Sequence, residues 1–363
     1  MSSLHKSNGA EFTERDGWLL PAHFGNSATE YAAVRSAVGL MDLSYRGLLQ
    51  LVGPDRLSFL QGMLSNDLRA LKPFTGQYAT LLTQQGKVIA DVRVLCAMNS
   101  FYLDFIGSLG EKIIAHLNRY LVADEVEIAD RSTEYATLSI QGPKSGALLR
   151  KLVGQAELPE HPLQHTMITL DATAICVICA SHTGETGMDL IAPIASLPDI
   201  AAKLTAAGKQ FSALWVGETA QNTLRIEAGL PRYGVDFTED NLLLEVGLDN
   251  AVSFSKGCYL GQEVVERIRS RGHVNKKLAG LLLEGQEAAN PGDPVADDDK
   301  PVGNITSSVH SPTLGRPIAL GYIHKDYWNV GTRLRVTHNG IALDAMITDL
   351  PFVPARQESV SSS

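Results

Sequence analysis

The sequence has few cysteines and no long apolar run. Four of its 363 residues are cysteine, too few for a disulfide framework in a chain of this length, which favours a reducing compartment. No stretch reaches the roughly 20 apolar residues that a transmembrane helix needs. The polar residues 1–6 also lack the apolar core of a signal peptide. We therefore expect a cytoplasmic protein with no membrane partner.

The composition indicates a globular protein, and the net charge argues against nucleic acid as a partner of the whole chain. The chain is 44% hydrophobic and 20% charged, with a formal net charge of -9, which is ordinary for a globular protein of two or three domains. A chain of this charge does not attract a long polyanion as a whole. A nucleic-acid partner would need a local basic patch.

Residues 49–61 and 138–150 repeat one pattern, a strand, a Gly-Pro turn and a helix. Proline near the first turn of a helix supports this reading. The repeat predicts an α+β body with internal pseudo-symmetry. Alternation predicts a β-hairpin over 78–97 that turns at 84–87, further strands over 166–193, and helices over 197–207 and 218–228. The polar residues 1–10 are expected to be loose.

The composition changes near the C-terminus. Residues 284–300 are rich in Gly, Pro, Ala and Asp, and short apolar strands with glycine turns follow at 303–307, 319–323, 333–338 and 342–347. This pattern predicts a small C-terminal β-barrel or sandwich, and the polar residues 356–363 predict a flexible tail.

One cysteine lies in a distinctive segment that reads Lys-Gly-Cys-Tyr-Leu-Gly-Gln-Glu over 256–263. Glycines on either side leave little bulk over the thiol of Cys258, and a nearby lysine together with the start of a helix at Gln262 and Glu263 would favour its thiolate. The alternative is a small, inert residue in a glycine turn. No second Cys or His stands at metal-ligand spacing, which argues against a zinc site.

A basic stretch follows this segment and consists of Arg267, Arg269, Arg271, His273, Lys276 and Lys277, against a single acid, Glu266. Arg267, Arg269 and Arg271 would share one face of a strand and present it to phosphates, RNA or a polyglutamate tail. The alternative is a solvated edge strand.

Two carboxylates stand in apolar strands, where a charge needs a partner or a function. Asp91 follows Val88–Ala90, and Asp189 precedes Leu190–Ala192. One interpretation is functional: each carboxylate stabilises charge or transfers a proton at a bound ligand. The alternative is a structural salt bridge to a neighbouring strand. Cys176 and Cys179 have redox-motif spacing, but in a strand they point to opposite faces, which favours a structural role.

Six stretches resemble the glycine-cleavage T-protein: 65–68, 76–78, 182–189, 224–229, 311–315 and 318–320. The resemblance extends over residues 25–353. It implies a three-domain ring around a central folate pocket, with an N-terminal folate-binding α+β domain (1–135), a second α+β domain that carries the cysteine segment (136–275), and a C-terminal β-barrel (276–355).

The cysteine segment is not a T-protein feature. It resembles the signature of the YgfZ family, whose members are folate-dependent proteins that serve iron–sulfur cluster assembly or repair and affect tRNA modification. The residues that match this signature are Lys256, Gly257, Cys258, Tyr259, Gly261, Gln262 and Glu263.

The T-protein resemblance also implies site residues. The family has an Asp-Asp pair whose second member faces the reactive folate nitrogen; here the pair is Ala90-Asp91, so one acid is lost. Asp189 stands at the position of the family acid that binds the pterin. His182 replaces the tyrosine of the same segment, and Gln221 replaces an arginine that contacts the pterin. The full set of expected cofactor-binding residues is Asp91, His182, Glu185, Asp189, Gln221 and Arg225.

Three hypotheses follow. The first is a tetrahydrofolate-binding accessory protein for iron–sulfur clusters, with Cys258 as the functional thiol and Fe–S client or assembly proteins as partners. The second is a tetrahydrofolate-dependent aminomethyl or one-carbon transferase that uses Asp91. The third is a non-catalytic module that binds RNA or protein through Arg267, Arg269, Arg271 and Lys276.

Overall fold

The computed structural model describes residues 1–355, without the side chain of Arg271. The helices are α1 (Ser2–Ser7), α2 (Ser27–Ser36), α3 (Arg56–Met63), α4 (Gly110–Tyr120), α5 (Ser145–Val153), α6 (Leu197–Gly208), α7 (Glu218–Glu227), α8 (Leu243–Val246) and α9 (Gln262–Arg271). The strands of the N-terminal part are β1 (Glu11–Arg15), β2 (Trp18–His23), β3 (Val38–Asp42), β4 (Arg46–Val52), β5 (Thr75–Leu82), β6 (Val88–Cys96), β7 (Phe101–Ile106) and β8 (Glu127–Asp130). The remaining strands are β9 (Tyr135–Gln141), β10 (His165–Leu170), β11 (Thr173–Cys179), β12 (Gly187–Pro193), β13 (Ala213–Trp215), β14 (Lys276–Leu283), β15 (Pro294–Asp297), β16 (Lys300–Ser311), β17 (Arg316–His324), β18 (Arg333–His338) and β19 (Ile341–Thr348).

The first sheet has the strand order β5-β6-β7-β4-β8. Its β5–β6 hairpin is the one that the alternation predicted, and Gln84–Lys87 lie in its turn. Apolar residues of α3 and α4 pack on this sheet and form its core with the alternate residues of the strands. Burial of one strand face against amphipathic helices is the main source of stability in such a layer.

The second sheet has the order β10-β11-β12-β9-β3-β13, and α5 and α6 cover it. Strand β3 pairs antiparallel with β9 and parallel with β13. The sheet assignments therefore differ from the predicted boundary at residue 135, because residues 38–42 belong to the sheet that is otherwise built from residues 135–215. A pairing between strands so far apart in the chain leaves no local pattern in the sequence.

The predicted repeat of strand, Gly-Pro turn and helix is present as β4–α3 and β9–α5. Glycine is required at the second turn because Gly142 has φ +116°, and a Cβ there would lie 2.6 Å from the carbonyl oxygen of Val34. Such a backbone conformation is open to glycine and strained for other residues.

Residues 237–265 return from the second sheet and pack on the first. Phe237, Leu243 and Val265 form an apolar cluster with Leu82 and Val88 of the β5–β6 hairpin. The segment with the cysteine, predicted within a domain 136–275, therefore lies on the sheet of the other predicted domain.

The first residues of the chain are ordered, and the prediction of a loose start over 1–10 is wrong. Helix α1 places His5 in the interior, where its ring packs edge-on against Phe24 and Trp215 and its Nε2 lies 2.6 Å from Oδ2 of Asp42. The predicted tail at 356–363 lies outside the described residues.

The C-terminal part is a closed barrel of order β14-β17-β16-β15-β18-β19. The predicted α+β body with a C-terminal β-barrel is confirmed. Two barrel strands were not anticipated: β14 begins in the basic stretch, and β15 lies in the region that reads as a compositional break. Within residues 1–355, no helix is both long and apolar enough to cross a membrane.

Candidate functional site

A central cavity of about 1010 Å³ lies between the two sheets and the segment after α7. Strands β5, β6 and β12, the loop before β12 and the start of α5 all contribute to its wall. The wall carries many arginines, including Arg15, Arg46, Arg93, Arg150 and Arg232. This basic interior contrasts with the net negative charge of the chain.

Asp91 of β6 lines the cavity with one oxygen free. Its Oδ2 accepts a hydrogen bond of 2.7 Å from the hydroxyl of Tyr78, while the buried Oδ1 has no partner among residues 1–355. Neither the predicted salt bridge nor any other ion pair to Asp91 is present in that part of the chain. An acceptor that is buried without a hydrogen bond costs free energy unless a ligand supplies the donor.

Asp189 is fully buried behind the cavity wall. Its Oδ2 lies 2.6 Å from Nη1 of Arg93 and 2.9 Å from Nε2 of His182. Burial alone would raise the pKa of Asp189, but the neighbouring His182 and Arg93 outweigh it and hold the pKa well below its usual range. The acid that the resemblance assigns to the pterin is thus engaged with two protein groups.

Arg93 extends this cluster to the other sheet. Its guanidinium also contacts Asp104, which accepts a 2.5 Å hydrogen bond from Nε of Arg46. Two arginines and two aspartates balance in charge, as buried ions must. Arg93 was not predicted as a site residue. Its position two residues after Asp91 in an apolar strand places two charges on one face, which is a pattern that could have indicated it.

The other expected folate residues separate into two groups. His182 and Gln221 line the cavity. Glu185 lies outside the lining, where it forms a 2.8 Å ion pair with Arg35. Arg225 lines the cavity, but it is bound to Asp236 at 2.6 Å and to a barrel serine, so it joins α7 to the barrel.

Cys258 is exposed and is not part of the cavity lining. The ammonium of Lys256 does not serve the thiolate as expected. It is buried and donates hydrogen bonds of 2.6–2.8 Å to three backbone carbonyls at the end of α3 and just beyond it, those of Gln61, Leu64 and Asn66. Burial lowers the pKa of Lys256 to about 8.

The rest of the segment fixes the loop. Gly261 has φ +86°, and a Cβ there would lie 2.6 Å from the carbonyl oxygen of Thr83 in the hairpin turn. Tyr259 is buried, its pKa raised to about 12 by burial. Gln262 and Glu263 begin α9 as predicted. Gly257 is free of close neighbours. The loop therefore holds Cys258 at the surface on a rigid base.

The basic stretch is helical up to Arg271, so the prediction of a strand with three arginines on one face is wrong. Arg267 pairs with Glu263 at 2.5 Å and Arg269 with Glu266 at 3.7 Å. Helical spacing brings these acids beside the arginines. Arg267 and Arg269 therefore do not form the shared strand face on which the RNA-binding hypothesis was based.

Cys176 and Cys179 lie in strand β11 as predicted. Burial raises the pKa of both thiols. Cys179 lines the cavity, which the sequence pattern did not indicate.

Family models match two parts of the chain: the GCVT N-terminal domain over residues 1–256 and the glycine cleavage T-protein C-terminal barrel domain over residues 276–354. The chain belongs to the glycine-cleavage T-protein family. The aminomethyltransferase of Nostoc sp. strain PCC 7120 is 32% identical over 350 residues, covering 94% of this chain and 92% of the relative. That of Rubrobacter xylanophilus is 34% identical over 322 residues, covering 88% and 85%.

A solved T-protein has the same architecture. The crystal structure of glycine cleavage system aminomethyltransferase T from Bartonella henselae matches with a TM-score of 0.90 and 25% identity, over 97% of this chain and 96% of that one. The T-protein fold is therefore confirmed, whereas the YgfZ-like assignment stays a prediction.

Proposed function

We propose that the protein binds tetrahydrofolate or a one-carbon derivative in the central cavity and transfers an aminomethyl or similar one-carbon unit to or from it. Family membership supports the reaction class, since the relatives named above are aminomethyltransferases. The observation that carries the proposal is the free oxygen of Asp91. This carboxylate stands in the cavity wall with one acceptor position unfilled.

The chemistry needs a group of this kind. A folate nitrogen that gains a one-carbon unit passes through a cationic state and releases its proton. A buried carboxylate stabilises the cation and accepts the proton. The hydrogen bond from Tyr78 orients the Asp91 carboxylate and leaves Oδ1 for the ligand.

The pterin would meet a modified set of polar groups. Within the described chain, Asp91, His182 and Gln221 line the cavity, whereas Asp189 stands behind His182 and Arg93. We propose that Asp189 acts on the pterin through His182, whose ring it orients, instead of binding the pterin edge itself.

Calorimetric titration of tetrahydrofolate and 5-formyl-tetrahydrofolate into the wild type tests binding. A turnover assay with an aminomethyl or N-methyl donor tests transfer. Asp91→Asn keeps the shape and the bond to Tyr78 but removes the charge, so it should retain folate binding within about tenfold and lose at least about a hundredfold in turnover, the range that general acid–base groups contribute.

The control for this variant is Asp240→Asn, since Asp240 is exposed and lies outside the cavity lining. A wild-type protein that binds neither folate would refute the proposal. Binding without turnover on any donor would refute the transfer step alone.

A second candidate function rests on a separate observation, the exposed Cys258 on a rigid loop outside the cavity. We propose, as the alternative, that the folate-loaded protein acts as an accessory factor for iron–sulfur cluster assembly or repair. In this role, Cys258 would meet a client or assembly protein at the surface, and effects on tRNA modification would follow from impaired Fe–S enzymes.

The two candidates differ in which variant fails. Cys258→Ala should bind folate like the wild type and fail to restore Fe–S enzyme activity in a deletion strain, while Ser255→Ala, an exposed position in the same loop, should restore it. Full rescue by Cys258→Ala would eliminate the accessory role.

A further inference from the structure

The start of helix α5 forms part of the cavity wall and carries unused hydrogen-bond donors. Ser145, Gly146 and Ala147 all line the cavity. The amide of Ser145 bonds to the carbonyl of Gly142, but the amides of Gly146 and Ala147 bond to no carbonyl or side chain of residues 1–355. Free amides at a helix start carry the positive end of the helix dipole and favour an anion.

Two side chains strengthen this feature. Ser145 is 2% exposed, and within the described chain its hydroxyl makes no hydrogen bond although the residue lines the cavity. Arg150 also lines the cavity, and its Nη1 lies 3.6 Å from the position that a Cβ of Gly146 would occupy. The guanidinium thus folds back along the helix towards its first turn.

Arg150 differs from most arginines of the cavity wall in having no acidic partner. Arg15, Arg46, Arg93, Arg225 and Arg232 each contact a carboxylate. No Asp or Glu oxygen of residues 1–355 lies within 4.0 Å of a nitrogen of Arg150. The charge of Arg150 is therefore available to a ligand.

We infer that the first turn of α5, with Ser145, the amides of Gly146 and Ala147, and Arg150, binds the glutamate carboxylates of the folate. The inference rests on the proposed folate-binding function. The two amides and the guanidinium only donate hydrogen bonds, and the serine hydroxyl can donate as well as accept. The set therefore suits a carboxylate and not the pterin edge, whose 2-amino and N3–H groups are donors themselves. The pterin would then lie with its polar edge towards Asp91 and His182.

This proposal assigns to α5 the binding of the glutamate tail, which the sequence suggested for the arginines that lie in α9. The sequence predicts a polyglutamate tail as one possible ligand of Arg267, Arg269 and Arg271. Arg267 and Arg269 are exposed and paired with glutamates of their own helix. The unpaired Arg150 lies in the cavity wall, where a bound folate would be present.

The test compares tetrahydrofolate with tetrahydropteroate, which has the same pterin and aminobenzoyl groups without the glutamate. The wild type should bind tetrahydrofolate about tenfold more tightly, the low end of what hydrogen bonds to charged groups supply. Arg150→Gln should remove most of that difference by weakening tetrahydrofolate alone, and Ser145→Ala should remove about threefold of it.

The matched control is Lys151→Gln, an exposed charge on the next residue of α5 that does not line the cavity; it should keep the difference. Thermal unfolding of each variant establishes that the fold is intact. Equal affinity of the wild type for the two ligands, or equal weakening of both by Arg150→Gln, would overturn the carboxylate site while the proposed function stands. Failure to bind either ligand would overturn the proposed function and this assignment with it.

Discussion

Asp91 lines the cavity and Asp189 lies buried behind its wall, so replacing each by asparagine should affect stability differently. Asp189→Asn leaves the buried guanidinium of Arg93 with Asp104 alone, which Arg46 already shares. The cluster of two arginines and two aspartates then carries one uncompensated positive charge. Breaking a buried ion pair from one side costs about 3–5 kcal/mol, a large part of the roughly 5–15 kcal/mol that keeps a typical protein folded.

The matched variant is Asp91→Asn. Asp91 has no ion-pair partner in residues 1–355, and asparagine still accepts the hydrogen bond from Tyr78. We expect the free energy of unfolding to stay within about 1 kcal/mol of the wild type, the net worth of one ordinary hydrogen bond. Urea denaturation followed by circular dichroism measures both variants under the same conditions.

A second substitution tests the cause of the loss. Adding Arg93→Met to Asp189→Asn removes the stranded charge, so the double variant should recover part of the stability that Asp189→Asn loses. Suppose instead that Asp189→Asn remains as stable as the wild type and loses more than about tenfold in tetrahydrofolate affinity. Asp189 would then be a ligand-binding acid, as the family resemblance implies, and the reasoning from the ion pair would be refuted.

Three further predictions concern how the loop and the N-terminus are held. Lys256→Met leaves three backbone carbonyls without their donor and should cost about 2–4 kcal/mol in urea denaturation; a loss below about 1 kcal/mol would show that water replaces the ammonium. Gly261→Ala places a Cβ on a residue with positive φ and 2.6 Å from a carbonyl oxygen, so it should lower the free energy of unfolding by at least about 1–3 kcal/mol. The control Gly257→Ala, which has open space around it, should leave the free energy of unfolding unchanged. Equal effects of the two substitutions would contradict the strain argument. Burial opposes ionisation of Asp42, but its interactions with His5 and Ser44 together outweigh burial and lower the pKa of Asp42. The stability advantage of the wild type over Asp42→Asn should therefore shrink as the pH falls below about 4. A constant difference between pH 3 and 7 would count against the pKa shift.

Local patterns in the sequence predicted local structure well. The alternation of residues 78–97 identified the β5–β6 hairpin, and the Gly-Pro turns identified the β4–α3 and β9–α5 units, because strand and helix periods and turn chemistry are properties of neighbouring residues. The prediction of a strand for the basic stretch was wrong because two-residue spacing of arginines also fits a strand. The glutamates at 263 and 266 lie three or four residues from their arginine partners, a spacing that indicates a helix.

The site was predictable only in part. Asp91 and Asp189 stood out as charges in apolar strands, but their partners Tyr78, Arg93 and His182 come from other strands or loops, and pairing across a sheet depends on register that no single segment specifies. The same limit applies to Lys256. Its sequence neighbour Cys258 suggested an electrostatic role, while its actual partners are carbonyls about 190 residues earlier in the chain.

The exchange of segments between the two sheets affects how the chain folds during synthesis. Residues 38–42 have no β9 partner until residues 135–141 are synthesised. Leu82 and Val88 of the β5–β6 hairpin also lack their covering residues until 237–265 have left the ribosome. At about 5–20 residues per second, that interval is on the order of ten seconds or more for a hairpin of largely apolar strands. Chaperones that shield exposed strands should therefore bind the first half of this nascent chain, and a ribosome stalled near residue 135 should present an aggregation-prone sheet instead of a finished domain.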